Sequence, residues 1–278
     1  MRSEKDHAWE EGASPLLPLT PFLRTSEAGG GGGVRQEKKG GQKALEAKGP
    51  AGAPPVRLCV PVVEESARRA RGVYLRAARK KCWAELRLDY LEQVDLRRLL
   101  GTQPGPVVVT NRHPAEGGRW RGEEAARLKV LEEALAFRPT CVDVEWRTEA
   151  GWRRELAAAK GPSRLILSWH DFSGTPEESL LLAQWEAMLA AEADILKMVT
   201  LARTPEDNLR VLGLIPRTRA AGREIIAFCM GPAGSWSRVA AAFLGSYLTY
   251  APFHRKGASA PGQLTVNEVR RIWRLLRW

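Results

Sequence analysis

From Arg57 onward the sequence repeats one pattern eight times: a short apolar run that predicts a buried strand, then a longer segment that predicts a helix. The predicted strands are 57–62, 83–88, 107–110, 141–144, 165–168, 195–199, 224–228 and 246–250. The predicted helices are 64–80, 95–100, 123–137, 149–160, 177–191, 205–220, 237–243 and 266–276. This rhythm predicts an α/β fold, the (β/α)₈ or TIM barrel. A doubly wound open sheet is the alternative, although no glycine-rich phosphate loop follows the first strand.

Residues 1–56 differ from the rest of the chain in composition. Gly29 to Gly33 form a run of five glycines, and a segment rich in lysine, glutamine and glycine follows. Such a segment buries too little apolar surface to offset the entropy lost on ordering. We therefore expect a low-complexity, disordered extension over residues 1–56 and a TIM-barrel domain over 57–278. A start codon assigned too far upstream would also explain the extension.

Charge and hydropathy exclude several classes of protein. The formal net charge of +11 belongs almost wholly to residues 57–278, because residues 1–56 hold eight basic and seven acidic residues. Charges of both signs alternate along the predicted helices, and no arginine-rich block is interleaved with aromatics, so a nucleic-acid partner is not supported. No apolar run approaches the ~20 residues of a membrane span, so no membrane partner is predicted.

Cysteine spacing gives no metal or disulfide signal. The four cysteines are Cys59, Cys82, Cys141 and Cys229. They are far apart and form no C-x-x-C pair, so neither a zinc site nor a disulfide framework is predicted. Reduced thiols are typical of cytoplasmic proteins, and we expect that location.

One lysine lies inside a predicted strand. The run Ala193 to Thr200 is apolar and branched apart from Asp194 and Lys197. Burial penalises the ammonium form and favours a free amine that can attack a carbonyl. The ordinary alternative is that Lys197 lies at a strand end and its amine reaches water. Taken alone, the residue favours this ordinary alternative, and the rest of the chain reverses that preference.

Other polar residues lie at or just after the ends of the predicted strands, where the active sites of TIM barrels lie. They are Glu85 and Arg87 in the second strand, Arg112 and Glu116 after the third, Asp143 and Glu145 at the end of the fourth, His170 after the fifth, Arg238 after the seventh, and Ser259 and Gln263 in the loop after the eighth. Each has an ordinary structural explanation, such as a surface ion pair or a capping group. Their convergence at one end of the barrel predicts an active site.

These residues occur in motifs that carry a family resemblance. The motifs are Glu85-Leu86-Arg87-Leu88-Asp89, Thr110-Asn111-Arg112 with Glu116-Gly117-Gly118, Ser168-Trp169-His170-Asp171-Phe172, Lys197, Met230-Gly231 with Ser237-Arg238, and Ser259-Ala260-Pro261-Gly262-Gln263. In this order the sequence from Arg57 onward resembles the type I 3-dehydroquinate dehydratases, Schiff-base enzymes of the shikimate pathway. The fold that the resemblance implies is again the TIM barrel.

The resemblance also implies roles for the residues. Lys197 would form a Schiff base with 3-dehydroquinate, His170 would be the general base, and Glu116 would orient the imidazole. Arg238 would hold the substrate carboxylate. The remaining substrate-binding residues would be Glu85, Arg87, Arg112, Ser259 and Gln263. The resemblance implies no metal and no cofactor, and it implies a homodimer. It assigns nothing to Asp143, Glu145, Trp169 or His113.

Two other functions fit parts of the pattern. A class I aldolase would share the Schiff-base lysine, but it gives no reason for Arg238 beside Ser259 and Gln263. A non-enzymatic protein that binds polyanions would explain the basic charge, but none of the strand-end groups. The sequence therefore favours dehydration of 3-dehydroquinate to 3-dehydroshikimate.

Overall fold

A computed structural model describes residues 57–191, 193–257, 259–260 and 262–276. The disordered extension predicted for residues 1–56 lies outside the described residues. The strands are β1 (Leu58–Val62), β2 (Trp83–Arg87), β3 (Val107–Thr110), β4 (Cys141–Glu145), β5 (Arg164–Asp171), β6 (Ile195–Leu201), β7 (Glu224–Met230) and β8 (Thr249–Tyr250). Each predicted strand is therefore present.

Helices follow the strands in alternation. They are α1 (Ala67–Arg79), α2 (Leu96–Leu100), α3 (Glu124–Leu135), α4 (Ala150–Ala159), α5 (Glu178–Leu189), α6 (Asp207–Ala220), α7 (Ser237–Leu244) and α8 (Val266–Leu275). Short 3₁₀ turns occur at Leu88–Tyr90, Pro114–Glu116 and Arg255–Gly257. None of the helices in the described part of the chain combines the length and apolarity that a membrane crossing requires.

The strands form one parallel sheet in the order β7-β6-β5-β4-β3-β2-β1-β8. The chain returns towards β7 just before β8 begins, where the Tyr247 N–H donates to the Ile225 carbonyl at 2.7 Å. This contact brings the first and last strands of the sheet together and nearly closes it into a barrel. The predicted TIM barrel is confirmed, and the open doubly wound sheet was the wrong alternative.

Strand residues alternate between two buried layers. One set packs outward against the helices, and Val109, Val142 and Leu196 belong to it. The other set fills the barrel interior, as Val108, Cys141 and Ile195 do. The interior residues two or four positions after these lie nearer the carboxyl ends of the strands. Many of them are polar rather than apolar. The alternation therefore delivers charged groups to one end of the barrel.

Candidate active site

A cavity opens at the carboxyl ends of the strands. Its lining comprises Glu85, Arg87, Arg112, Glu116, Gly117, His170, Phe172, Lys197, Val199, Phe228, Met230, Arg238, Tyr250, Ser259, Ala260 and Gln263. All nine site residues predicted from the sequence are among them. The structure thus brings together side chains from β2, the β3–α3 loop, β5, β6, α7 and the loop after β8.

Lys197 lies in the middle of β6 and is 4% exposed. Its Nζ donates a hydrogen bond to Asp143 Oδ2 at 2.9 Å and lies 3.7 Å from Glu85 Oε1. The amine is also 4.7 Å from the centroid of the Tyr250 ring. These carboxylates offset the desolvation of a buried cation. The amine does not reach bulk water, so the alternative of an exposed strand-end lysine does not apply.

Asp143 joins the lysine to an arginine. Its Oδ1 accepts from Arg112 Nη2 at 2.7 Å and from Ser168 Oγ at 2.7 Å. Ser168 lies opposite Lys197 in the β5–β6 ladder, so its hydroxyl is held at the same level of the barrel. Although burial opposes ionisation, Arg112 and Lys197 hold the pKa of Asp143 far below its usual value of 3.8. Asp143 is therefore a carboxylate at any working pH.

The ion pairs continue from Arg112 towards the surface. Arg112 Nη1 lies 3.1 Å from Glu145 Oε1, and Glu145 Oε2 lies 2.9 Å from Arg127 Nη1. Arg127, in α3, is 0% exposed and makes two hydrogen bonds to the half-exposed Glu124, at 2.7 and 2.8 Å. We call this series the charge chain: Glu124, Arg127, Glu145, Arg112, Asp143 and Lys197. Its alternating signs fix the rotamers of the buried members.

A second ion pair supports the β2 side of the cavity. Arg87 forms a bidentate pair with Asp89, through Nε to Oδ1 at 2.9 Å and Nη2 to Oδ2 at 2.7 Å. The same carboxylate accepts the backbone N–H groups of Arg112 and Arg119 at 3.2 and 3.0 Å. Asp89 thus fixes the Arg87 guanidinium and the loop after β3 in a single arrangement.

His170 and Glu116 form a hydrogen-bonded pair. The Nδ1 atom of His170 lies 2.8 Å from Glu116 Oε2, so Nε2 is the nitrogen left for chemistry. The Phe172 ring stacks on the imidazole with centroids 6.2 Å apart. Glu116 is brought to this position by the 3₁₀ turn after β3, which ends at Gly117 with φ +76°. A glycine suits that left-handed conformation.

Burial shapes the protonation of this pair. Desolvation, with the nearby cations of Arg112 and Lys197, lowers the pKa of His170 well below 6.5. Desolvation raises the pKa of Glu116 to about 7, against the attraction of Arg112. The imidazole is therefore neutral at neutral pH and free to accept a proton at Nε2. Because the two groups are hydrogen-bonded, the protonation of one affects the protonation of the other.

Arg238 is a buried cation that pairs with no acidic side chain among the described residues. It is 1% exposed, and its Nε and Nη2 atoms are buried with no hydrogen-bond partner. Its guanidinium lies 4.3 Å above the Phe228 ring. Desolvation lowers the pKa of Arg238 to about 10, so it remains charged at neutral pH. A planar guanidinium with free donors in a cavity is suited to a carboxylate.

The loop between β8 and α8 supplies the cover of the cavity. Gln263 accepts from the Ser259 N–H at 3.0 Å through Oε1, and its Nε2 donates to Ser259 Oγ at 3.2 Å. Gly262 has φ +76°, and a Cβ there would collide with the Gly231 carbonyl. The loop therefore packs closely on the turn after β7 and holds both polar side chains over the site.

Sequence reasoning missed several residues of the site. Asp143 and Glu145 were left without a role, although both belong to the charge chain. The signal was present, because Asp-Val-Glu places two carboxylates on one face of a strand. His113 and Trp169 lie outside the cavity lining: the His113 ring accepts from the Ala115 N–H, and Trp169 packs in the outer core.

No metal site accompanies these groups. In the parts of the chain that the structure describes, no cluster of three or more His, Cys, Asp or Glu side chains could hold a metal ion. The acidic side chains of the cavity instead face arginine and lysine. The cavity contains an amine, an imidazole and several carboxylates.

Comparison with known proteins identifies the family. The profile of the family described as type I 3-dehydroquinase matches residues 58–277. The chain belongs to the type I 3-dehydroquinase family. The match covers the whole barrel, including every residue of the cavity lining. The resemblance inferred from the sequence motifs is confirmed.

Several proteins named 3-dehydroquinate dehydratase are similar to this chain. A 3-dehydroquinate dehydratase of Pyrobaculum aerophilum is 44% identical over 187 residues, which cover 66% of this chain and 60% of that protein. One of Syntrophobacter fumaroxidans is 40% identical over 200 residues, covering 68% and 83%. The crystal structure of 3-dehydroquinate dehydratase from Geobacillus kaustophilus superposes with a TM-score of 0.70 and 29% identity, covering 80% of this chain and 91% of that one.

Proposed function

We propose that this protein dehydrates 3-dehydroquinate to 3-dehydroshikimate, a hydro-lyase reaction of the shikimate pathway, through a Schiff base on Lys197. Membership of the type I 3-dehydroquinase family and the names of its similar members support the reaction. The observation that carries the Schiff base is the buried amine of Lys197 in a cavity shared with a neutral imidazole and an unpaired guanidinium. No metal or nucleotide is needed, because the covalent bond itself activates the substrate.

The first step joins Lys197 to the substrate ketone. The amine must be uncharged to attack the C3 carbonyl, and the carbinolamine that forms then loses its hydroxyl as water to give an iminium. The low pKa of Asp143 makes its carboxylate a poor base, so it orients the amine and stabilises the cation. The neutral imidazole of His170 is the stronger base and moves the protons of this step.

The second step removes a proton and then the hydroxyl. The iminium draws electrons from the ring, so the C2 proton becomes acidic enough for His170 Nε2 to take. The resulting enamine expels the C1 hydroxyl, which leaves as water with the proton that His170 carries. Glu116, 2.8 Å from Nδ1, supports the imidazolium while it exists. Hydrolysis of the conjugated iminium by water releases product and the free amine.

The substrate is held by the charges around the ring. Arg238 has free donors for the substrate carboxylate, which would supply the anion that this buried cation lacks. Five further lining residues contact ring hydroxyls: Glu85 and Arg87 from β2, Arg112 from the β3–α3 loop, and Ser259 and Gln263 from the cover. These assignments make the cavity specific for a carboxylated polyol ring.

Borohydride trapping tests the proposal. The protein is incubated with 3-dehydroquinate and borohydride, and the adduct is located by mass spectrometry of peptides. We expect one adduct, on Lys197, and none in a folded but inactive Lys197→Met variant. Lys160→Met is the matched control, because Lys160 pairs with Asp194 outside the cavity. An adduct elsewhere, or full activity in Lys197→Met, would contradict the Schiff-base assignment.

An absorbance assay with 3-dehydroquinate separates the rival functions. Dehydration raises the ultraviolet absorbance of a conjugated product, whereas an aldolase would cleave a carbon–carbon bond. Polyanion binding that persists in Lys197→Met with no turnover of 3-dehydroquinate in wild type would favour a non-enzymatic role. A homodimer and a cytoplasmic location remain predictions, to be measured by light scattering and by fractionation.

A further inference from the structure

The hydroxyl of Tyr250 has no hydrogen-bond partner in the part of the chain that the structure describes. Tyr250 ends β8, lines the cavity and is 4% exposed, and its hydroxyl oxygen is buried. Tyr74, which is equally buried, differs: its hydroxyl donates to the Gly105 carbonyl at 2.5 Å. Of these two buried hydroxyls, the one away from the cavity is therefore satisfied and the one beside the cavity is not.

An unpaired buried hydroxyl destabilises the empty protein. Phenylalanine at position 250 would keep the ring contacts and avoid that penalty. Those contacts are an edge-on approach to Phe228 with centroids 6.1 Å apart and the Lys197 amine over the ring. Neither contact uses the oxygen. The hydroxyl therefore contributes nothing to the empty protein, which points to a role when a ligand is bound.

The surroundings of Tyr250 make it a donor. Burial, reinforced by the Glu85 carboxylate, raises the pKa of Tyr250 well above 10, so the phenol keeps its proton. The nearby carboxylates already have other donors: Glu85 accepts from Thr110 Oγ1 at 3.1 Å, and Asp143 accepts from Lys197, Arg112 and Ser168. The ring that carries the free O–H lies 4.7 Å from the Lys197 amine and lines the same cavity, in which the ring of a covalently bound substrate must lie.

We propose that Tyr250 is a substrate-binding residue whose hydroxyl donates a hydrogen bond to an oxygen atom of the polyhydroxylated ring attached to Lys197. The inference rests on the proposed function and deepens it. It assigns to β8 a polar contact with the substrate that the sequence motifs did not include. A bound substrate would give hydrogen-bond partners to both the Tyr250 hydroxyl and the Arg238 guanidinium. The two unpaired groups of the cavity therefore point to the same ligand.

Tyr250→Phe tests the inference, with Tyr74→Phe as the matched control. We expect Tyr250→Phe to raise the melting temperature of the empty protein and to lower kcat/KM at least about 10-fold, since the substrate oxygen loses its partner. It should still give the borohydride adduct on Lys197. Tyr74→Phe should lower the melting temperature, because the Gly105 carbonyl loses its donor, and should leave kcat/KM unchanged.

The outcomes separate this inference from the proposed function. Wild type that turns over 3-dehydroquinate, together with an unchanged kcat/KM in Tyr250→Phe, overturns the inference alone. A lowered kcat/KM accompanied by a lowered melting temperature also overturns it, since that pattern indicates a structural hydroxyl. Wild type that neither dehydrates 3-dehydroquinate nor forms the adduct overturns the proposed function.

Discussion

Two buried cations of the cavity differ in how their charge is balanced. Lys197 has the Asp143 carboxylate at 2.9 Å and Glu85 at 3.7 Å, whereas Arg238 has a phenyl ring and no anion. A paired buried charge is a stable arrangement, and an unpaired one is a strained arrangement that an anionic ligand relieves. This difference supports the proposed roles, in which Lys197 forms the covalent bond and Arg238 binds the substrate carboxylate.

His170 is the residue whose loss should most affect turnover after Lys197 itself. We expect His170→Ala to slow kcat by ~10²–10⁴-fold, the range of general acid–base groups, because no other neutral base shares its position. Turnover is followed by product absorbance. Folding is checked by melting temperature, with Trp169→Phe as a control from the outer core. A near-wild-type rate in His170→Ala would contradict the proton-transfer assignment.

The pH dependence of turnover follows from the same residue. The imidazole acts as a base only when unprotonated, and burial holds its pKa well below 6.5. Activity should therefore persist as the pH falls through 6.5 and decline only at more acidic values. The measurement is kcat between pH 4.5 and 8 in wild type. A decline centred at or above pH 6.5 would contradict the pKa direction.

At this scale, sequence identified the groups that do chemistry but not those that support them. Lys197 is recognisable as a lysine inside an apolar strand, and His170 and Arg238 are recognisable by residue type and by the motifs in which they occur. Asp143 and Arg127 are not, because an acidic strand end or a helix arginine has many ordinary uses. Asp143 pairs with Lys197, 54 positions away in the chain, and Arg127 pairs with Glu145, 18 positions away. Only the register of the barrel strands brings each pair into contact.

The loop that covers the cavity is more tightly constrained than helices far from the site. Helix α8 begins directly after the cavity cover and is started by a capping box, in which Thr265 and Glu268 satisfy each other's backbone N–H groups. The cover itself turns at Gly262 against the Gly231 carbonyl. The loop is therefore anchored at its carboxyl end. By contrast, α1 contains Gly72, around which a Cβ would meet no atom within 4 Å.

Exchanging these glycines should have opposite effects. We expect Gly72→Ala to stabilise the protein by about 0.5–1 kcal/mol, because alanine restricts the unfolded chain and fits an exposed helix position. Gly262→Ala should destabilise it and raise KM, because the added Cβ collides with backbone at a positive φ. Urea unfolding and steady-state kinetics measure both. Stabilisation by Gly262→Ala would contradict the account of the cover.

Strand boundaries show where sequence patterns stop being informative. β5 was predicted to end at Ser168, yet it continues to Asp171, paired with β6 as far as Thr200. The predicted strand stops at Ser168 because the prediction relied on apolar residues, whereas the strand continues through the polar residues of the site. β8 was predicted over 246–250 and spans Thr249–Tyr250, because Tyr247 bonds to β7 while the barrel closes. Function and closure are properties of the assembled sheet.

Over the whole molecule, the buried carboxyl groups link folding stability to pH. Asp143 has a folded-state pKa below its usual 3.8, so it stabilises the protein above that pH and the contribution is lost as the pH falls further. Glu116 acts oppositely, because its pKa is about 7 in the folded protein and 4.5 in the unfolded chain. As the pH rises from 4.5 to about 7, the unfolded chain has lost this proton and the folded protein still holds it, so the free energy of unfolding falls. His170 opposes Glu116 below pH 6.5, because only the unfolded chain binds its proton there.

Asp143→Asn should expose this linkage. We expect lower stability at pH 7, by about 3–5 kcal/mol for a broken buried ion pair, and a flatter loss of stability below pH 4 than in wild type. Urea midpoints from pH 3 to pH 7 measure it. Glu133→Gln is the control, because Glu133 lies exposed on α3. An unchanged acid slope in Asp143→Asn would contradict the assignment.

The domain prediction remains to be tested on the whole chain. We expect a protein beginning at residue 57 to keep the kcat and melting temperature of the full chain, since the family match and the cavity lie within 58–277. A protein beginning at residue 63 lacks β1 and should not fold, which makes it the contrasting case. Loss of activity on removing residues 1–56 would assign that segment a role.

The charge chain also limits how this pocket can be redesigned. Exchanging one of its inner members for an uncharged residue leaves the next with an uncompensated charge, so libraries that randomise single positions will mostly yield destabilised variants. Paired exchanges, such as Arg127 together with Glu145, keep electroneutrality at each step. Natural drift towards new substrates faces the same coupling, and it can proceed more easily through Arg238, Tyr250 and the loop after β8.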